Sequence, residues 1–121
     1  MLTPKLDIDL EINLDRISNK FMNLLKQFAP FGPENMNPVF VSRGLIAENV
    51  RTMGAENNHL RFKPKQLGIN HLMIQAVAFK KGFLFDELVA GKQFDLAYTI
   101  EENHWKDRVY LQLNVKDLKF I

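Results

Sequence analysis

Three prolines fall within nine residues, in the run Pro30-Phe31-Gly32-Pro33-Glu34-Asn35-Met36-Asn37-Pro38, and they divide the chain into two parts that cannot share one regular element. Each proline lacks a backbone donor and steers the residue before it away from the helical region, while Gly and Asn admit unusual backbone angles. The run therefore predicts an ordered turn that no helix or central strand crosses. On its N-terminal side Leu6, Ile8, Leu10 and Ile12 alternate with Asp7, Asp9 and Glu11, the period of a half-buried strand or extended lead-in. Leu14, Ile17, Phe21, Leu24, Leu25 and Phe28 then recur at helical steps. They predict one amphipathic helix over 14–28, with Asn13 as N-cap and Arg16, Lys20 and Gln27 on its polar face.

Beyond the turn the period is two. Val39 to about Arg51 reads as a long strand interrupted at Gly44, where a bulge or sharp bend lets one strand serve two edges of a curved sheet. After a turn at Gly54–Asn58, His59, Arg61 and Lys63 alternate with Leu60 and Phe62, placing a basic row on one face and apolar groups on the other. A loop at Pro64–Gly68 precedes a third strand over 70–79, apolar on both faces and so central. Gly82 and Gly91 bracket a short helix carrying Phe83, Leu84, Leu88 and Val89, glycines being common helix punctuation. Phe94, Leu96, Tyr98 and Ile100, then Val109, Leu111, Leu113 and Val115, mark two last strands joined by a loop at Glu101–Asp107, longer than a minimal hairpin turn.

Strand, strand, strand, short helix, strand, strand is the order of a five-stranded OB barrel, whose ligands lie across the second and third strands between the 1–2 and 4–5 loops. The chain is thus expected to be mainly β (α+β), with an antiparallel barrel over 37–121. Residues 1–36, comprising lead-in strand, helix and Pro-rich turn, are expected to form an attachment element outside it.

At 121 residues, with 46% hydrophobic, the chain is long enough for one domain to bury a core without covalent staples. It contains no Cys, which excludes disulfides and thiolate metal sites. No apolar run approaches a membrane span and the first residues lack a signal-peptide layout, so no membrane partner and a cytoplasmic location are expected. Residues 1–36 hold 4 Lys and Arg against 5 Asp and Glu, whereas 37–121 hold 12 against 9. The basic bias belongs to the barrel segment and fits a local phosphate-tracking groove better than a general DNA-coating surface.

Arg61 and Lys63, continued by Lys65, fall on the second barrel strand, where cations would track phosphates. The same alternation also describes an ordinary solvated strand face. Trp105, the sole tryptophan, lies between His104 and Lys106 and near Arg108 in the 4–5 loop. Its indole either stacks on a base while Lys106 and Arg108 meet phosphate, or closes the barrel end. Arg51 near the 1–2 loop, and Lys80 and Lys81 after the third strand, are further cationic candidates. No catalytic or metal-ligating residue is assigned. His59, His71 and His104 have no metal-ligand spacing, and Asp7 with Asp9, or Asp86 with Glu87, lack a companion His or phosphate-cradling loop.

Three stretches together resemble the C-terminal OB domain of the RecJ single-strand-specific DNA exonucleases, a branch of the DHH phosphoesterase family. They are Phe28-Ala29-Pro30-Phe31-Gly32-Pro33-Glu34-Asn35 running into Asn37-Pro38-Val39-Phe40, then Asn58-His59-Leu60-Arg61-Phe62 with Ala76-Val77-Ala78-Phe79, then Asn103-His104-Trp105 with Leu111-Gln112-Leu113-Asn114-Val115-Lys116-Asp117. The family's turn commonly carries Gly where this chain has Glu34, and the Asp-His-His and carboxylate motifs of its catalytic core are absent. The resemblance implies a single-stranded-DNA-holding domain of a 5′→3′ exonuclease of recombination and repair. Manganese or magnesium would belong to a catalytic core lying upstream, and the start at Met1 would be the edge of a fragment. Two other readings compete: a module that docks on a protein core without touching nucleic acid, and a hot-dog-like thioesterase whose sheet wraps the 14–28 helix.

Overall fold

The computed structural model describes residues 9–27, 38–56, 58–68 and 74–121. The predicted turn at 30–37, the lead-in before Asp9, the helix end at Phe28, Asn57 and residues 69–73 with His71 lie outside the described residues.

Among the described residues six strands form one sheet: β1 (Asp9–Glu11), β2 (Val39–Met53), β3 (His59–Gln66), β4 (Gln75–Ala78), β5 (Phe94–Trp105) and β6 (Arg108–Phe120). Their order is β1-β2-β3-β4-β6-β5, and a further β2–β5 pairing closes the last five into a barrel. This is the OB arrangement. Among the described residues the α-helices that accompany it are α1 (Asn19–Gln27) and α2 (Phe85–Val89). The sheet closes on itself and does not wrap the 14–28 segment, so the hot-dog reading fails on topology.

Closure depends on two bends in β2. Gly44 sits at φ +70° where the β2–β5 register slips between Ser42 and Leu45. Asn49 sits at φ +53° where the β2–β3 register slips between Glu48 and Arg51. Bulges re-aim a strand, and Gly and Asn are the residues that tolerate these angles. The first half of β2 thereby pairs with β5 and the second with β3. Asp95 holds the Gly44 bend, accepting from the Gly44 backbone at 3.0 Å and from Arg43 at 3.1 Å. Arg43 also reaches Glu11 at 3.0 Å. The hydrogen bond to Glu11, reinforced by its charge and that of Asp95, pushes the Arg43 pKa above its ordinary value.

The barrel is not wholly antiparallel, contrary to the expectation. β4 and β6 run parallel, with Gln75 opposite Gln112 and Ala76 opposite Leu113. The chain reverses through α2 into β5 and again through the β5–β6 hairpin, so β6 returns beside β4 in the same direction. Two strand limits also differ. β3 runs through Pro64 to Gln66 where a loop is expected. β4 pairs β3 only at Leu60, Arg61 and Phe62 among the described residues, so Pro64 lies where one neighbour has gone and a missing donor costs less. Of the strand expected over 70–79, Gln75–Ala78 is strand and Phe79 and Lys80 form a turn.

The lead-in contributes to the core itself. β1 pairs parallel with β2, and Leu14 and Ile17 are buried with Phe40, Phe62, Phe94, Leu96 and Leu113. The helix expected over 14–28 is broken: Leu14–Arg16 form a single 3-10 turn, Ile17 is extended at ψ 119°, and α1 starts at Asn19. Ser18, not Asn13, caps it, its Oγ accepting from the Phe21 N–H at 3.1 Å. Leu14, which opens the 3-10 turn, and Ile17, which follows it, are both buried in the core. A buried hydroxyl relay completes the join. Ser42 Oγ donates to the Ile12 carbonyl at 2.8 Å and lies 2.8 Å from the Tyr98 hydroxyl. Burial pushes the Tyr98 pKa up to about 12, against a smaller downward pull from Ser42.

Candidate functional site

The outward faces of five strands make one surface. On β3, Leu60, Phe62 and Pro64 point inward and are buried, so Arg61 and Lys63 point outward. Strand register extends that face sideways. Arg51 lies opposite Arg61, Arg61 opposite Val77, Val77 opposite Asn114, and Asn114 opposite Thr99, with Val77 and Thr99 themselves buried and only the others reaching the surface. A neighbouring row runs from Gln75 to Gln112 to Glu101. At about 4.8 Å per strand, the surface is about 19 Å across.

Two shallow grooves cross it. One, of about 210 Å³, is lined among the described residues by Asn49, Arg51, Arg61, Phe62, Lys63 and Gln75. The other, of about 390 Å³, is lined by Gln75, Asn103, Trp105, Tyr110, Leu111 and Gln112. Gln75 borders both, so the basic row of β3 and the aromatic end of the β5–β6 hairpin share a wall.

The hairpin departs from expectation. In place of a loop over Glu101–Asp107, β5 continues to Trp105 and pairs it with Arg108. Only Lys106 and Asp107 form the turn, at φ +52° and +63°, the two positive angles of a tight type I′ hairpin. Neither residue is Gly, so the sequence carries no strong signal for the turn. Among the described residues, Arg108–Leu111 pair with β5 alone, making a two-stranded arm that projects by about 13 Å, four residues at roughly 3.3 Å each. Trp105 is carried out on this arm and is 60% exposed. It does not close the barrel end. Lys106 Nζ lies 4.5 Å from the centre of its ring, a cation–π contact.

The remaining candidates are placed differently. Lys65 sits 3.8 Å from Glu48, in a pair 40% exposed on each side, and Glu48 is also opposite Lys63 in register. Lys106 and Arg108 are at the tip of the arm, on the Trp105 side of the surface. Lys80 and Lys81 follow β4 at the far end, where the Lys80 backbone N–H donates to His59 Nδ1 at 2.9 Å. There His59 packs edge-on against Phe79, ring centres 5.4 Å apart. Sequence reasoning missed Gln75, Tyr110 and Gln112. Tyr110 and Gln112 alternate with Leu111 and Leu113, but their approach to Trp105 follows only from the register of a tight turn. Among the described residues no three His, Asp or Glu side chains are grouped to hold a metal ion, and no helix is long and apolar enough to cross a membrane.

A family model described as the RecJ OB domain matches residues 8–117. The single-stranded-DNA-specific exonuclease RecJ of Bacillus subtilis (strain 168) is 25% identical over 114 residues, which cover 94% of this chain and 14% of that protein. Among solved structures, RecJ from Thermus thermophilus in complex with Mn2+ superposes with a TM-score of 0.63 at 24% identity, covering 93% of this chain and 15% of that one. The same protein in complex with Mg2+ gives 0.61 at 24% identity over 92% and 16%. The chain therefore spans about a seventh of the length of these relatives.

Proposed function

The chain belongs to the RecJ OB-domain family, and on that premise we propose that it is the single-stranded-DNA-binding domain of a RecJ-like 5′→3′ single-strand-specific exonuclease. The parent would act in cytoplasmic DNA recombination and repair. The observation that carries this reading is the shared wall at Gln75 between the groove of Arg51, Arg61 and Lys63 and the groove of Trp105 and Tyr110. Single-strand binders combine a cationic track for the backbone with aromatic faces for the bases, and both contacts are sequence-tolerant. Strand cleavage would be the work of a catalytic core elsewhere in the parent. The described residues offer no fit to the manganese or magnesium of such a core, so no step of the chemistry is assigned to this chain.

In this reading Arg51, Arg61 and Lys63 hold phosphates. Lys106 and Arg108 catch the strand at the arm, and Lys65, Lys80 and Lys81 contribute at the margins. Residues 1–36 would fasten the domain over 37–121 to the parent's core, while β1, Leu14 and Ile17 also pack onto β2 and into the barrel core. Titration of a labelled oligothymidine into the chain, with unlabelled single strand or duplex as competitor, tests the function. Competition by single strand and weak competition by duplex are expected. No binding at low salt would leave protein docking as the better account.

A further inference from the structure

The surface changes character between its two grooves. Among the described residues three cations line the first, while the lining of the second holds amides, aromatics and Leu111 without a cation. Glu101 lies on the same row as Gln75 and Gln112. Its carboxylate accepts from Asn114 Nδ2 at 2.8 Å and from Gln112 Nε2 at 3.5 Å. A carboxylate only accepts hydrogen bonds, so Gln112 must turn its amino group toward Glu101 and its oxygen away. That oxygen accepts from Asn103 Nδ2 at 3.3 Å. The relay fixes the direction of the exposed Asn103 amide and leaves its Oδ1 and second N–H for a ligand. Asn103 stands directly opposite Tyr110, and Trp105 lines the same groove. A phosphate here would meet the charge of Glu101; a neutral planar ring would meet two aromatic side chains and an oriented amide.

We propose that the groove of Asn103, Trp105, Tyr110 and Gln112 is a nucleobase subsite that favours an unpaired adenine. The inference rests on the single-strand reading above and adds base preference to it. Adenine presents the N6 donor beside the N7 acceptor, the pair an Asn amide meets with both of its groups. N6–H donates to Asn103 Oδ1, and Asn103 Nδ2–H donates to N7. The purine also offers the larger π-face to the exposed indole of Trp105.

The test compares oligodeoxyadenylate with an oligomer of the same length and charge built from 7-deazaadenine, in which a C–H replaces the N7 acceptor. The intact chain should bind the adenine oligomer at least about fivefold more tightly, the lower end of what a bidentate amide–base pair discriminates. Asn103→Leu should erase the difference. Glu101→Gln should narrow it without weakening oligothymidine binding, because a neutral amide lets Gln112 turn over. Equal affinity of the wild type for both oligomers would overturn the subsite and leave single-strand binding standing. Failure to bind any oligomer would remove both.

Discussion

Replacing Arg61 and Lys63 together by Ala removes two of the three cations lining the β3 groove while leaving the inward Leu60, Phe62 and Pro64 in place. Both side chains lie on the outward face, so the double variant should fold. If Arg51, Arg61, Lys63, Lys106 and Arg108 each meet one phosphate, five contacts at about −0.7 apiece give log affinity against log salt a slope of about −3.5. The double variant keeps three, for a slope of about −2.1. Raising salt fourfold should therefore weaken the wild type by about 130-fold and the variant by roughly 20-fold. Fluorescence anisotropy of a labelled oligothymidine across a salt series, with folding checked by circular dichroism, measures both slopes. The loss should be the same for every sequence, because phosphates carry no base identity. A folded double variant with the wild-type slope and affinity would place the phosphate track away from β3.

Other consequences concern the barrel that presents this surface. The Ser42 hydroxyl has one proton, given to the Ile12 carbonyl, so Tyr98 must donate to Ser42. Ser42→Ala then orphans a buried donor and an acceptor at a cost of about 2–3 kcal/mol, whereas Tyr98→Phe orphans one lone pair and should cost about 1 kcal/mol; urea unfolding of the two reversing that order would reject the relay. The folded pKa of Tyr98, about 12, stands above the unfolded value of 10.0. Its contribution is complete below pH 10.0 and is lost as pH rises toward 12, so the wild type should lose more stability over that window than Tyr98→Phe, and parallel curves would contradict this. Because Lys106 and Asp107 hold positive φ without being Gly, the pair Lys106→Asn with Asp107→Gly should raise stability by about 0.5–1 kcal/mol. A fall in midpoint would mean the turn is not type I′.

Much of this is legible in the residues because alternation reports which face a strand buries. Leu60 and Phe62 against Arg61 and Lys63 predict the inward and outward sides of β3 without coordinates. Gly44 likewise announces the bend that lets β2 pair on both sides. What escapes is carried by register and by packing. Asn49 makes a second bend through Asn's tolerance of positive φ, a weaker signal than Gly. Leu14, Ile17 and Phe21 keep helical spacing across the break at Ile17, so the hydrophobic pattern does not display it. The arm reads as a loop because Lys106-Asp107 is not a usual type I′ pair. That one misreading hides the approach of Tyr110 and Gln112 to Trp105, and with it half of the surface.

The chain has a single Trp, and it stands 60% exposed on the arm where the strand should leave the basic groove. Its fluorescence therefore reports the proposed site directly. Titration with oligothymidine at low salt should quench the emission saturably, with the midpoint matching affinity measured by anisotropy, while duplex of equal length should quench little. Trp105→Ala, compared at matched folded fraction, should bind about 1–3 kcal/mol more weakly. Saturated binding by anisotropy with unchanged tryptophan emission, and unaltered affinity in Trp105→Ala, would contradict a single strand crossing this face from β3 to the hairpin arm.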